Sequence, residues 1–277
     1  MRKDMQNTIA TLLSLVFLPT MAFADDRQQQ EITTLIADHS HAERVFNLPL
    51  NDGKRLTVLF STPTRPRGTI IMLPGGTGDI GLQQDGRIGQ GDNFVVRTRD
   101  LWNKHGYAVL IPDTINHTNL RGRRSSSAYA RLVEELAAFA HQPESGPVFL
   151  LGTSQGSIAA VNAAAHALPS SIAAVVLTES VSVMGGSGET VFSATPQQVR
   201  APVLVVVNRD DLCNVAPPQS ARQIAAAMTA SGDVHVLTVS GGATRSKKNC
   251  GSLTPHGYFR IEDKVIDAIS RWLDTHS

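Results

Sequence analysis

Gly152-Thr153-Ser154-Gln155-Gly156 matches G-x-S-x-G, and its flanks give the match meaning. Pro147 to Leu151 is a short apolar run of the kind that forms a buried strand, and Ile158 to Ala165 is rich in helix formers. Ser154 is therefore expected at a sharp strand-to-helix turn. Glycines flank it where a side chain would clash, and its hydroxyl is pushed out at the top of a sheet. The Gln155 N–H is expected at a helix N-terminus, where it can stabilise an oxyanion. This is the chemistry of an acyl-transfer nucleophile. The competing explanation is an ordinary strand–turn–helix connection that carries a serine.

A serine hydroxyl is a poor nucleophile near neutral pH without a base in reach and a carboxylate to orient that base. In a parallel sheet such groups collect at the carboxyl ends of strands. The apolar run Val203 to Val207 is followed by Asp210 and Asp211, of which Asp211 is favoured because it stands just before the loop turns into the next helix. Of nine histidines, His256 alone lies in a loop after the last strand, between Pro255 and Gly257 and ahead of the final helix. The order Ser154, Asp211, His256 lets a parallel sheet present nucleophile, acid and base at the ends of successive strands. The second oxyanion donor is expected in Leu73-Pro74-Gly75-Gly76-Thr77-Gly78, at Gly76 or Thr77, with plain turn chemistry as the alternative.

Other clusters carry less. Gly76-x-Gly78-x-x-Gly81 matches a dinucleotide fingerprint, but that motif needs a helix to open at once. Here Gly81, Gly86, Gly89 and Gly91 keep recurring, so no cofactor is expected. His39-x-His41 has no third ligand at suitable spacing, so no metal is expected either. Arg97, Arg99, Arg121, Arg123 and Arg124 can bind an acidic substrate group, but more often such arginines cap helices or pair on the surface.

The elements that must position these groups alternate along the chain. Arg44–Leu50 and Lys54–Ser61 form a hairpin across Asn51-Asp52-Gly53. Strands follow at 68–73, 107–111, 147–151, 172–177, 203–207 and 234–239. Helices are expected at 93–105, 126–141, 158–165, 218–230 and 259–273. Such alternation means a mostly parallel sheet covered on both faces, with an antiparallel edge supplied by the hairpin.

Arg2 and Lys3, the apolar stretch Ile9 to Leu18 and Ala22-Phe23-Ala24 have the form of a signal peptide over residues 1–24, with a retained anchor as the alternative. The mature chain, 25–277, is expected to be one domain in the periplasm or outside the cell, without a stable membrane anchor. Removing Arg2, Lys3 and Asp4 takes the counts from 25 basic and 24 acidic side chains to 23 of each. A neutral protein has no long-range pull on nucleic acid or anionic membrane. Cys213 and Cys250 are expected to pair in an oxidising compartment. The bridge would tie the loop of the acid to the loop of the base.

Gly152-Thr153-Ser154-Gln155-Gly156, Asp211 after a strand and Pro255-His256-Gly257 before the last helix together resemble the α/β-hydrolase family, over about Arg44 to Leu273. The resemblance implies an eight-stranded sheet and a Ser–Asp–His triad without metal or cofactor. Leu73-Pro74-Gly75-Gly76 departs from the commoner His-Gly form of the first loop. Glu179 to Val199, where a lid often stands, is short and rich in Gly and Ser, so a large apolar lid is not expected. The expectation is a serine hydrolase for small-molecule carboxylic esters. The alternatives are a peptidase or amidase with the same triad, or a non-catalytic binding protein on this fold. The residues leave the oligomeric state open.

Overall fold

A computed structural model describes residues 33–35, 41–141 and 146–277. The expected signal peptide, residues 1–24, lies outside the described residues, as do His39 and the side chain of His41. Among the described residues nine strands form one sheet: β1 (Thr33–Leu35), β2 (His41–Pro49), β3 (Arg55–Pro63), β4 (Thr69–Leu73), β5 (Ala108–Pro112), β6 (Val148–Thr153), β7 (Ala174–Thr178), β8 (Val203–Asn208) and β9 (Val234–Val239). Their spatial order is β1-β2-β3-β5-β4-β6-β7-β8-β9. The first three pairings are antiparallel, and every pairing from β5 through β9 is parallel. The eight strands from β2 on are those expected, and three-residue β1 adds a short edge. The hairpin turns at Gly53, whose φ of +81° suits a residue without Cβ.

Strand periodicity divides the core in two. Ile71, Leu73, Leu150, Val175, Leu177, Val203 and Val205 face one side, where α3 (Ser127–Ala140), α4 (Gly156–His166) and α5 (Ala221–Ala227) cover them. Ile70, Met72, Val109, Phe149, Leu151, Val176 and Leu204 face the other, under α1 (Phe94–Arg97), α2 (Arg99–Lys104) and α6 (Glu262–Leu273). Because both faces are covered, the central strands are continuous apolar runs rather than alternating ones. Helix α4 is buried over Gly156–Ala165, and its alanines let it lie close to the sheet.

Three helices differ from expectation. The helix expected over 93–105 is split at Thr98, whose hydroxyl donates to the Phe94 carbonyl at 2.7 Å while its backbone leaves the helical region (φ −100°, ψ 0°). The helix expected over 218–230 is a 3₁₀ turn, Pro218–Ser220, followed by α5, which stops at Met228. The last helix starts at Glu262 rather than Phe259, because Tyr258 and Arg260 hold φ of +55° and +75°. Those two residues turn the chain from the His256 loop onto the sheet.

Candidate active site

The turn from β6 into α4 has little room. A Cβ on Gly152 would stand 2.4 Å from the Gly156 carbonyl oxygen, and one on Gly156 would stand 2.0 Å from that of Leu73. Only glycine fits at either place. Between them Ser154 is held at φ +52°, a costly conformation for a residue with a Cβ. Its N–H donates to the Thr178 carbonyl at 2.8 Å, which pins the turn to β7. The Ser154 side chain is thereby turned away from the sheet and into a cleft.

Ser154, Asp211 and His256 come together there. His256 Nε2 lies 3.0 Å from Ser154 Oγ, and His256 Nδ1 lies 2.7 Å from Asp211 Oδ2. The carboxylate can only accept, so Nδ1 carries the proton and Nε2 is left to accept from the serine hydroxyl. The imidazole is 4% exposed and the Asp211 carboxylate is fully buried, so the pair is shielded from water. Asp210, the other acid considered, is exposed instead and accepts the Gly241 N–H at 2.7 Å.

The loops carrying His256 and Asp211 are tied together. His256 sits in a 3₁₀ turn, Pro255–Gly257, whose cap Thr254 accepts its N–H at 3.1 Å. Asn208, the last residue of β8, donates from Nδ2 to the carbonyls of Gly241 and Pro255, at 2.9 and 3.1 Å. Cys213 Sγ and Cys250 Sγ form a disulfide across the same gap. Arg97 donates to the Gly257 carbonyl and pairs with Glu262 at 3.0 Å, bracing the turn from the far side.

The loop after β4 lies against the serine, since a Cβ on Gly75 would come within 3.1 Å of Ser154 Cβ. Gly76 has φ +61° with open space where a Cβ would be. Among the described residues, the N–H groups of Gly75, Gly76, Thr77 and Gln155 donate to no protein acceptor. Unpaired donors at a cleft are available to a ligand oxygen. From Pro74 to Asn93 the chain is loop without a helix, so Gly76-x-Gly78-x-x-Gly81 opens no helix. Asp113 anchors that loop by accepting the N–H groups of Ile80 and Leu82, at 2.9 and 2.7 Å.

Two groups were not picked out by sequence reasoning for what they do. Glu179 follows β7, is fully buried, and accepts the Asn208 N–H at 2.6 Å. Its ligand oxygen, one of Asp211 and one nitrogen of His256 all lie within 4.8 Å of one another. Burial, and then the Asp211 charge, push its carboxyl well above the ordinary range. Its signal was present: it is an acid at the carboxyl end of a strand, as Asp211 is. The second group is Arg124, 1% exposed, whose guanidinium reaches Gln155 Oε1 (3.2 Å) and the carbonyls of Pro74 (3.3 Å) and Gly76 (3.1 Å). Its neighbours Arg121 and Arg123 are exposed, and Arg99 pairs with Glu43 at 2.5 Å. Burial thus separates Arg124 from the surface role expected for such arginines.

The cleft holds about 410 Å³ and is lined by Gly75, Thr77, Asp79, Asn93, Ser154 and His256, among others. A larger depression of about 930 Å³ lies between the hairpin and α3, and none of Ser154, Asp211 or His256 lines it. Asp79, Asp113 and His117 also stand close enough to share an ion, but the Asp113 oxygens are already taken by three backbone N–H groups, those of Ile80, Leu82 and Thr114. Ordinary loop anchoring accounts for that cluster.

No protein-family model and no curated protein matches the sequence. Solved structures do match. A dienelactone hydrolase from Anabaena variabilis superimposes with a TM-score of 0.59 at 16% identity, over 84% of this chain and 98% of that one. Est1E from Butyrivibrio proteoclasticus gives 0.57 at 14% identity, over 84% and 98%. An acylaminoacyl peptidase from Pyrococcus horikoshii gives 0.58 at 13% identity, over 86% of this chain and 42% of that one. At such identities the likeness is one of fold, and the fold is that of the α/β-hydrolases.

Proposed function

We propose that this protein is a serine hydrolase acting on carboxylic esters through an acyl-enzyme. The observation that carries the proposal is the continuous hydrogen-bonded chain Ser154–His256–Asp211, 3.0 and 2.7 Å long in its two links, beside unpaired backbone donors. A packing accident has no reason to place a nucleophile, a base and a buried orienting carboxylate in sequence and then leave donors free beside the serine.

Ser154 Oγ attacks the acyl carbon while its proton passes to His256 Nε2. Asp211 keeps the imidazole in the tautomer that accepts there and stabilises the cation that forms. Negative charge develops on the carbonyl oxygen and is met by the Gln155 N–H and one N–H of the Gly76–Thr77 segment. His256 then gives its proton to the leaving alcohol, the alcohol departs, and water repeats the steps on the ester to Ser154. The cleft volume, its polar lining and the loop Glu179 to Val199, which carries only 3₁₀ turns at Val191–Ala194 and Pro196–Gln198, suit a small ester rather than a lipid chain under an apolar lid. Esterases and dienelactone hydrolases among the structures of the same fold are consistent with this, and the acylaminoacyl peptidase marks the amide alternative.

The signal-like N-terminus and the Cys213–Cys250 bridge favour an exported protein. Among the described residues, no helix is long and apolar enough to cross a membrane. Turnover of p-nitrophenyl acetate and butyrate, compared with aminoacyl p-nitroanilides, tests the proposal. Ester turnover should dominate, and Ser154→Ala should lower kcat by roughly 10⁵-fold or more without changing the thermal midpoint by more than a few degrees. Amide turnover equal to ester turnover would move the assignment to peptidases. Full ester turnover in Ser154→Ala would end it.

A further inference from the structure

We infer that Arg124 is a positioning residue of the oxyanion site: its guanidinium, fixed to Gly76 O, Pro74 O and Gln155 Oε1, sets the place and the donor strength of the N–H groups facing the acyl oxygen. The inference rests on the proposed serine chemistry.

Burial comes first. Arg124 is among the largest fully buried side chains, and arginine stays charged even there. A cation withdrawn from water normally has a carboxylate against it. Among the described residues the Arg124 guanidinium has no salt-bridge partner. Glu189, the carboxylate best placed to supply one, is spent on backbone and hydroxyl donors. It accepts the Arg124 N–H at 3.2 Å, the Ser125 N–H at 3.0 Å and the Ser125 hydroxyl at 2.9 Å. The guanidinium's hydrogen bonds go to neutral acceptors, with the Glu189 charge nearby but not paired with it.

Those acceptors are informative. Pro74 O belongs to the peptide unit whose other end is the Gly75 N–H, and Gly76 O to the unit ending at the Thr77 N–H. Both N–H groups are among the unpaired donors beside Ser154. A cation on a carbonyl polarises the amide and makes its N–H a stronger donor. The third contact, Gln155 Oε1, belongs to the residue whose backbone N–H is the other expected donor. One guanidinium thus joins the two segments that must close on the same oxygen, in the planar fork geometry that lysine lacks.

The arginine is itself held. Asn162 Nδ2, on α4, donates at 2.8 Å to both Arg124 O and Ser126 O. Gly78, with φ +86°, makes room for the fork, because a Cβ there would lie 3.0 Å from Arg124 Nη2. Helix α4, which begins directly after Ser154 and Gln155, therefore fixes the nucleophile, the first donor and, through Asn162 and Arg124, the second.

Arg124→Met and Arg124→Lys test this, with rates expressed per site titrated by a fluorophosphonate so that poorly folded protein does not count. Arg124→Met should lower kcat for p-nitrophenyl butyrate by about 10- to 100-fold, somewhat less than deletion of a direct oxyanion donor, with KM within about twofold. Arg124→Lys should fall between it and the parent and serves as the folded variant if the methionine form does not fold. A trifluoromethyl ketone, whose hemiketal oxyanion occupies the hole, should lose affinity by the same factor as kcat/KM. A purely structural arginine would lower stability and the titrated fraction while leaving kcat per titrated site and inhibitor affinity unchanged, and that result would overturn the inference. A rise in KM alone would also overturn it, in favour of substrate binding. If the parent enzyme turns over no ester, the proposed function fails, and the positioning claim is read separately from amide chemical shifts. The amide resonances of Gly75 and Thr77, whose peptide carbonyls accept from Arg124, should move upfield in the variants, and unmoved resonances would refute it.

Discussion

At the scale of single residues the molecule turns on how burial changes what a side chain can do. Asp210 and Asp211 are identical in type and adjacent, yet one is exposed and anchors Gly241 while the other is buried under His256. The sequence favoured the second through loop position alone. Glu179 had the same strand-end position as a signal, but its burial could not be read, because an acid is read as solvated until its surroundings are known. Its carboxyl is raised above the ordinary 4.5 by burial first and by the Asp211 charge second. The folded protein therefore keeps a proton that the unfolded chain releases near that value, and the stability it contributes is lost as pH rises from there through the raised folded pKa. Glu179→Gln keeps an acceptor for the Asn208 N–H and has nothing to ionise. Relative to the parent, this variant should gain stability as pH rises from 4.5 to 8, as measured by urea unfolding at both values. A difference that stays flat, or that grows in the parent's favour, contradicts a raised Glu179 carboxyl.

At the scale of elements the decisive unit is β6–turn–α4. Its glycines are set by steric contacts with Leu73 on β4 and across the turn itself, so Gly156→Ala should force the backbone apart. We expect a loss of about 3 kcal/mol or more in urea unfolding, or failure to yield soluble protein. A loss below about 1 kcal/mol would mean that the turn is looser than these contacts imply. The disulfide is the second device. Removing it by Cys213→Ala with Cys250→Ala should cost about 2–4 kcal/mol and lower kcat, since the loops of Asp211 and His256 lose a tie. Unchanged kcat with lowered stability would leave the bridge a role in folding only. Strands and this turn were legible because apolar runs and flanking glycines report two-sided burial directly. Helix ends were less so. The break at Thr98 depends on a side-chain hydroxyl competing for the Phe94 carbonyl, and the late start of α6 depends on two left-handed residues, neither of which leaves a mark in the hydrophobic period.

At the scale of the whole molecule, the parallel part of one sheet gathers at its carboxyl edge groups that lie 102 positions apart in sequence. That convergence was legible because topology makes it a rule: Asp211 and His256 were sought after later strands, and both side chains lie beside Ser154. The loop proposed to hold the oxyanion was picked out by its glycines after a strand but not resolved between the Gly76 and Thr77 donors, since backbone direction leaves no mark in the sequence. What organises that loop, Arg124, was grouped with surface arginines because charge predicts exposure unless a cavity of carbonyls waits for it. The chain's proposed export implies a mature N-terminus at Asp25, which mass spectrometry of the protein recovered from outside the cytoplasm should find, whereas an intact residue 1 there would point to a retained anchor. The most direct test of the central claim is covalent. After reaction with a fluorophosphonate, peptide mass spectrometry should find one adduct, on Ser154, formed at least a hundredfold more slowly in His256→Gln. An adduct on another residue, or labelling of Ser154 that is indifferent to His256, would contradict the account.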